Sequence, residues 1–177
     1  MRSSRLGKNN MKTEHSTATS WAGRQLRVIA AIMAMGVMLA PAIADPGADL
    51  DLNSYNGKVV ILDFWASWCV PCRRSFPWLN EMHSKYSDQG LVIVGVNLDN
   101  DTDEAARFLE EFPADFEIYY DRERSLARSF EVKAMPSSYV IGRDGELFKK
   151  HLGFKVKRQN EYEAAILSAL RNTGGTE

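Results

Sequence analysis

Apolar positions along this chain fall into two kinds of run. One kind is nearly unbroken. Val59-Val60-Ile61-Leu62-Asp63-Phe64-Trp65 and Leu91-Val92-Ile93-Val94-Gly95-Val96 read as strands buried on both faces, since a half-exposed strand would alternate apolar with polar. The other kind recurs at helical spacing. Phe76, Leu79, Met82 and Tyr86 share one face of a helix that starts at the cysteines, is kinked by Pro77 and ends at Gln89-Gly90. Asp101-Thr102-Asp103-Glu104 puts a cap and acids into a first turn, opening a helix to about Phe112. Residues 116–120 predict a short strand and residues 125–130 a short helix. Residues 138–141 and 147–151 flank Gly142-Arg143-Asp144-Gly145, a hairpin signal. Residues 160–170 close with a helix, its Tyr162, Ile166 and Leu170 on one face. Strand–helix–strand early and hairpin–helix late predict an α/β domain of three layers, a central mixed sheet flanked by helices.

The first 44 residues break this pattern, holding six of the 22 basic residues and one of the 23 acidic ones. An apolar run over 28–40 follows the basic start and leads into Pro41-Ala42-Ile43-Ala44. Basic start, apolar stretch and small-residue ending read as a secretory signal cut after Ala44. The run is short for a bilayer span, which needs about 20 apolar residues. If retained, it would be an N-terminal anchor and leave the domain in the same compartment. The expected organisation is a signal or anchor over 1–44, a polar leader over 45–56 with a short turn or edge strand, a domain over 57–171 and a flexible tail over 172–177. Removing the signal leaves 16 basic and 22 acidic residues, a net charge of about −6. An acidic domain with no basic stripe argues against nucleic acid as a partner.

Only two cysteines exist, Cys69 and Cys72, separated by Val70-Pro71. Such a pair closes too small a loop to restrain the unfolded chain much, so its use is reactivity rather than stapling. A strand before the pair and a helix after it place Cys69 at a helix N-terminus, where backbone N–H groups and the dipole favour a thiolate. The thiolate is the attacking species in disulfide exchange, and Cys72, within one turn, can resolve the mixed disulfide. Zinc is disfavoured. It wants four ligands, and only His83 and His151 could join the cysteines, without paired spacing. A copper-binding module using the two cysteines and a distant His is chemically allowed and stands as the alternative. A peroxidase would hold its cysteine in a Thr-containing context absent here.

The segment Asp63-Phe64-Trp65-Ala66-Ser67-Trp68-Cys69-Val70-Pro71-Cys72 resembles the active-site stretch of thioredoxins. Pro77 stands where thioredoxins kink the same helix, Met135-Pro136 where they carry a cis-proline facing the cysteines, and Gly153 where a glycine follows the last strand. The export signal, Val94-Gly95-Val96-Asn97-Leu98-Asp99 and the helix–strand insertion over 102–120 resemble the exported TlpA/ResA-like branch. Two positions depart from that branch. Ser75 stands where many members carry an acid, and Asp63, as in thioredoxins, where they often have Asn. The Lys that partners this Asp in thioredoxins is replaced by Gly95, so burial should raise the Asp63 pKa.

The resemblance implies a thioredoxin fold and a periplasmic thiol–disulfide oxidoreductase acting on protein thiols and disulfides. It implies a reductant serving cytochrome c or copper-site maturation, fed by a membrane electron donor. Cys69 is expected as nucleophile, Cys72 as resolving thiol and Asp63 as the base that takes the Cys72 proton. Trp68, Met135 and Pro136 are expected to contact substrate, with the Met135 backbone pairing an extended peptide. No cofactor and no metal are required.

Overall fold

A computed structural model describes residues 50–172 of the chain. The expected signal or anchor, the start of the leader and the tail from 173 onward lie outside the described residues.

Among the described residues five strands form one mixed sheet in the order β3-β2-β1-β4-β5. They are β1 (Val59–Trp65), β2 (Leu91–Asn97), β3 (Glu117–Tyr120), β4 (Ser137–Ile141) and β5 (Leu147–Leu152). β1, β2 and β3 run parallel, while β4 runs antiparallel to both β1 and β5. Among the described residues the α-helices are α1 (Cys72–Tyr86), α2 (Thr102–Glu111), α3 (Ser125–Ser129) and α4 (Gln159–Arg171). This is the thioredoxin fold with its helix–strand insertion, α2–β3. In the described part of the leader, Leu52–Tyr55 is a 3-10 helix whose N-cap Asp51 accepts from the Asn53 N–H, and among the described residues the sheet edges are β3 and β5.

β1 is buried at every position, as its unbroken apolar run requires of a central strand covered on both faces. Its alternate side chains feed two cores. Ile61 and Trp65 join Phe76, Leu79 and Met82 of α1 and Tyr162 and Ile166 of α4. Leu62 and Phe64 face the other way, toward Tyr139 of β4 and Ala127 of α3. Each fully buried side chain of this size stabilises the fold by about 1.5–3 kcal/mol. The insertion is docked by aromatic contacts. Trp65 lies 4.8 Å from Phe108 of α2 and 5.0 Å from Phe76 of α1, and Phe76 lies 5.4 Å from Phe116. Gly95 makes room for this cluster: a Cβ there would come within 2.9 Å of Ile118, 3.0 Å of Phe116 and 3.2 Å of the Trp65 indole nitrogen.

Candidate active site

The polypeptide leaves β1 at Trp65 and turns before α1. The Cys69 N–H donates to the Ala66 carbonyl, and the Cys72 N–H donates to the Cys69 carbonyl, both at 3.0 Å. Cys69 and Cys72 are joined by a disulfide at the head of α1. Cys72 is the first helical residue, Pro71 is its N-cap, and Cys69 sits one turn upstream. The first turn of α1 holds no acid to oppose a negative charge there, and Arg73 and Arg74 follow directly. Both sulfur-bearing residues are buried, whereas Trp68 and Val70 stand out as an exposed rim, 64% and 60% accessible. Ser75, in place of the acid expected at that position, is buried and donates its hydroxyl to the Cys72 carbonyl.

A clamp not foreseen from sequence fixes this loop. Buried Asp99 accepts from the Ser67 N–H at 2.9 Å, the Ser67 hydroxyl at 3.0 Å and the Asn97 side-chain amide at 2.8 Å. The Leu98 N–H also donates to the Trp65 carbonyl. Asn97 ends β2 and Asp99 follows it closely, so the sheet register places them beside the end of β1. The only signal in the sequence was an Asn and an Asp at the end of a parallel strand, where α/β sheets carry their sites.

Asp63 lies on the same face of β1 as Trp65 and is wholly buried. Its Oδ1 accepts from the Ser138 hydroxyl, while Oδ2 has no partner. Gly95 is its neighbour on β2 and Ser138 its neighbour on β4, so no cation stands beside it in the sheet. Burial pushes its pKa up from 3.8 to about 7, and the Ser138 hydrogen bond opposes the rise.

The Met135–Pro136 peptide bond is cis. Met135 packs against the core cluster that contains both cysteines. The Pro136 carbonyl accepts from the Gly153 N–H, whereas the N–H and carbonyl of Met135 bond to no described residue. Between the cysteine loop and α2 lies a cleft of about 380 Å³, lined by Trp68, Arg73, Glu104 and Arg107 among others.

His83 is half-buried with Nδ1 unpartnered, and His151 is buried against Tyr162. Among the described residues no three His, Cys, Asp or Glu side chains converge as a metal site, and no helix is long and apolar enough to cross a membrane.

Three comparisons bear on this geometry. The Redoxin family model matches residues 17–166. Thiol-disulfide oxidoreductase ResA of Bacillus cereus is 30% identical over 115 residues, which is 65% of this chain. The chain spans just under two thirds, 66%, of that relative's length. A crystal structure from Chlorobium tepidum, assigned as thiol:disulfide interchange protein DsbE, shares 45% identity with a TM-score of 0.66. It covers 68% of this chain and 86% of its own. StoA of Bacillus subtilis shares the fold, at 23% identity and a TM-score of 0.56 over 63% of this chain and 84% of its own.

Proposed function

Because the chain belongs to the Redoxin family, as a TlpA/ResA-like member of the thioredoxin superfamily, we propose that it exchanges dithiol for disulfide with protein partners outside the cytoplasm. The observation that carries this reading is the Cys69–Cys72 disulfide at the head of α1.

In the reducing direction, the reduced Cys69 thiolate attacks a substrate disulfide. The helix N-terminus stabilises its charge. One substrate sulfur bonds to Cys69 and the other leaves as a thiolate, which takes a proton. Asp63 then takes the proton of Cys72. The Cys72 thiolate attacks the Cys69 sulfur, the second substrate thiolate departs, and the enzyme is left with its own disulfide. A carboxyl whose pKa lies near 7 suits this work, since it is partly ionised at neutral pH. Trp68 and the free Met135 backbone next to Pro136 receive the substrate, whose extended segment adds as a short strand.

Export by residues 1–44 supplies the location. The TlpA/ResA resemblance supports reduction of partners in cytochrome c or copper-site maturation, with electrons from a membrane donor. The test is reduction of insulin disulfides by the pre-reduced protein. Wild type should precipitate insulin, and Cys69→Ser should not. Full activity in Cys69→Ser would overturn the assignment.

A further inference from the structure

We propose that Ser138 and His151 are the outer half of a proton relay that begins at Asp63 and ends in solvent. The proposal rests on the reading of Asp63 as the base for Cys72. It answers a question that reading raises, namely how a proton leaves a carboxyl with no exposed surface.

Register supplies the path. Gly95, Asp63, Ser138 and His151 are paired side by side across β2, β1, β4 and β5. Their side chains therefore leave the same face of the sheet, with directly opposed Cβ atoms about 4.5–5.5 Å apart in the antiparallel pairs. Gly95 closes the row on one side with no side chain. On the other side the polar residues continue outward to the edge strand β5.

Each member has the valence the relay needs. The Ser138 hydroxyl donates to Asp63 Oδ1, which leaves its lone pairs free. His151 is 8% exposed, and its Nε2 is buried without a partner. Ser138 is the neighbour of His151 on β4, and its hydroxyl is turned to Asp63. Lys149 faces it from its own strand, Arg158 from the 3-10 turn before α4, and Glu161 and Tyr162 from α4, with the Tyr162 ring 4.8 Å away. Burial, Lys149 and Arg158 favour the neutral ring and Glu161 opposes them, so the ring keeps a lone pair at neutral pH.

The proton steps balance. The Cys72 S–H bond breaks and an Asp63 O–H bond forms. The Ser138 hydroxyl turns from Asp63 to His151; protonated Asp63 then gives its proton to the Ser138 oxygen as the Ser138 hydroxyl proton passes to His151 Nε2. The ring releases its Nδ1 proton to water. One proton crosses from Cys72 to solvent and no electrons move along the row.

The experiment is single-turnover oxidation of the reduced full-length protein by insulin, followed by tryptophan fluorescence from pH 5 to 9, in H₂O and D₂O. His151→Phe keeps an aromatic ring for Tyr162 but cannot accept a proton, and Ser138→Ala removes the middle hydroxyl. Each should slow the step on the order of tenfold around pH 7. Each should also turn a curved proton inventory, in which several protons move, into a linear one. Ser138→Thr, which restores a hydroxyl, should recover the wild-type rate and inventory. Wild-type rates, pH profiles and inventories in both His151→Phe and Ser138→Ala would overturn the relay, as would failure of Ser138→Thr to restore them. Asp63→Asn separates the two claims. If it too leaves the rate and profile unchanged, the base assignment fails with the relay; if it alone slows the step, only the relay fails.

Discussion

Replacing Asp63 by Asn should make the oxidised protein more stable, and more so at high pH than at low. The side chains are nearly the same size, so packing around β1 is preserved. The amide oxygen introduced by Asp63→Asn can still accept from Ser138, and the amide nitrogen, like the Asp63 Oδ2 it replaces, meets no partner. What changes is the cost of ionisation. A tenfold change in an equilibrium is about 1.36 kcal/mol, so raising this carboxyl from 3.8 to about 7 corresponds to about 4 kcal/mol. The folded pKa is the higher one, so the folded state binds the proton more tightly. Stability is therefore greatest below the unfolded value of 3.8 and falls as pH rises toward about 7, where the loss is complete. At pH 5 only about 1.6 kcal/mol of that loss has accrued. Urea unfolding of wild type and Asp63→Asn at pH 5 and pH 8.5 reads the difference. The gain from the substitution should exceed its pH 5 value by about 2–3 kcal/mol at pH 8.5. Any constant cost of the amide cancels in that comparison. A gain that is the same at both pH values would refute the burial argument, because the carboxyl would then ionise alike in folded and unfolded protein.

Three further substitutions probe the surroundings. Asp99→Ala removes an acceptor serving both the backbone and hydroxyl of Ser67, and should cost about 2–3 kcal/mol in urea unfolding while speeding amide exchange at Ser67. Gly95→Ala drives a Cβ against Ile118, Phe116 and the Trp65 indole, and should lower stability by about 1–3 kcal/mol, seen as a lower melting temperature. Trp68→Ala removes an exposed ring, so unfolding should change by less than about 0.5 kcal/mol while kcat/KM for insulin reduction drops several-fold.

Legibility in the sequence followed the range of the interaction. β1 and β2 were readable because an unbroken apolar run needs cover on both faces, and both are central strands. The hairpin was readable from its own turn residues. Burial of Asp63 followed from its place in such a run, and the lack of a cation beside it from Gly95 at the matching position of β2. What remained hidden depends on contacts between distant segments. Ser138 looks like the first residue of a strand, and only the β1–β4 register brings its hydroxyl to Asp63, 75 residues away. Asp99 looks like a loop acid until β1 and β2 align and Ser67 turns toward it. His151 sits in a strand of mixed character and is buried only because α4 lays Tyr162 against it. The leader allowed a turn or an edge strand, and in its described part Asp51 capping the Asn53 N–H makes a turn.

The exchange chemistry assigned to Cys69 and Cys72 is tested most directly by trapping. Cys72→Ser leaves the proposed nucleophile and removes the thiol that resolves its adducts, so protein partners should accumulate as disulfide-linked species. Non-reducing gels should show them released by dithiothreitol, and mass spectrometry should place every link at Cys69. Absence of any such species with Cys72→Ser, while Cys69→Ser retains full reductase activity, would contradict the assignment.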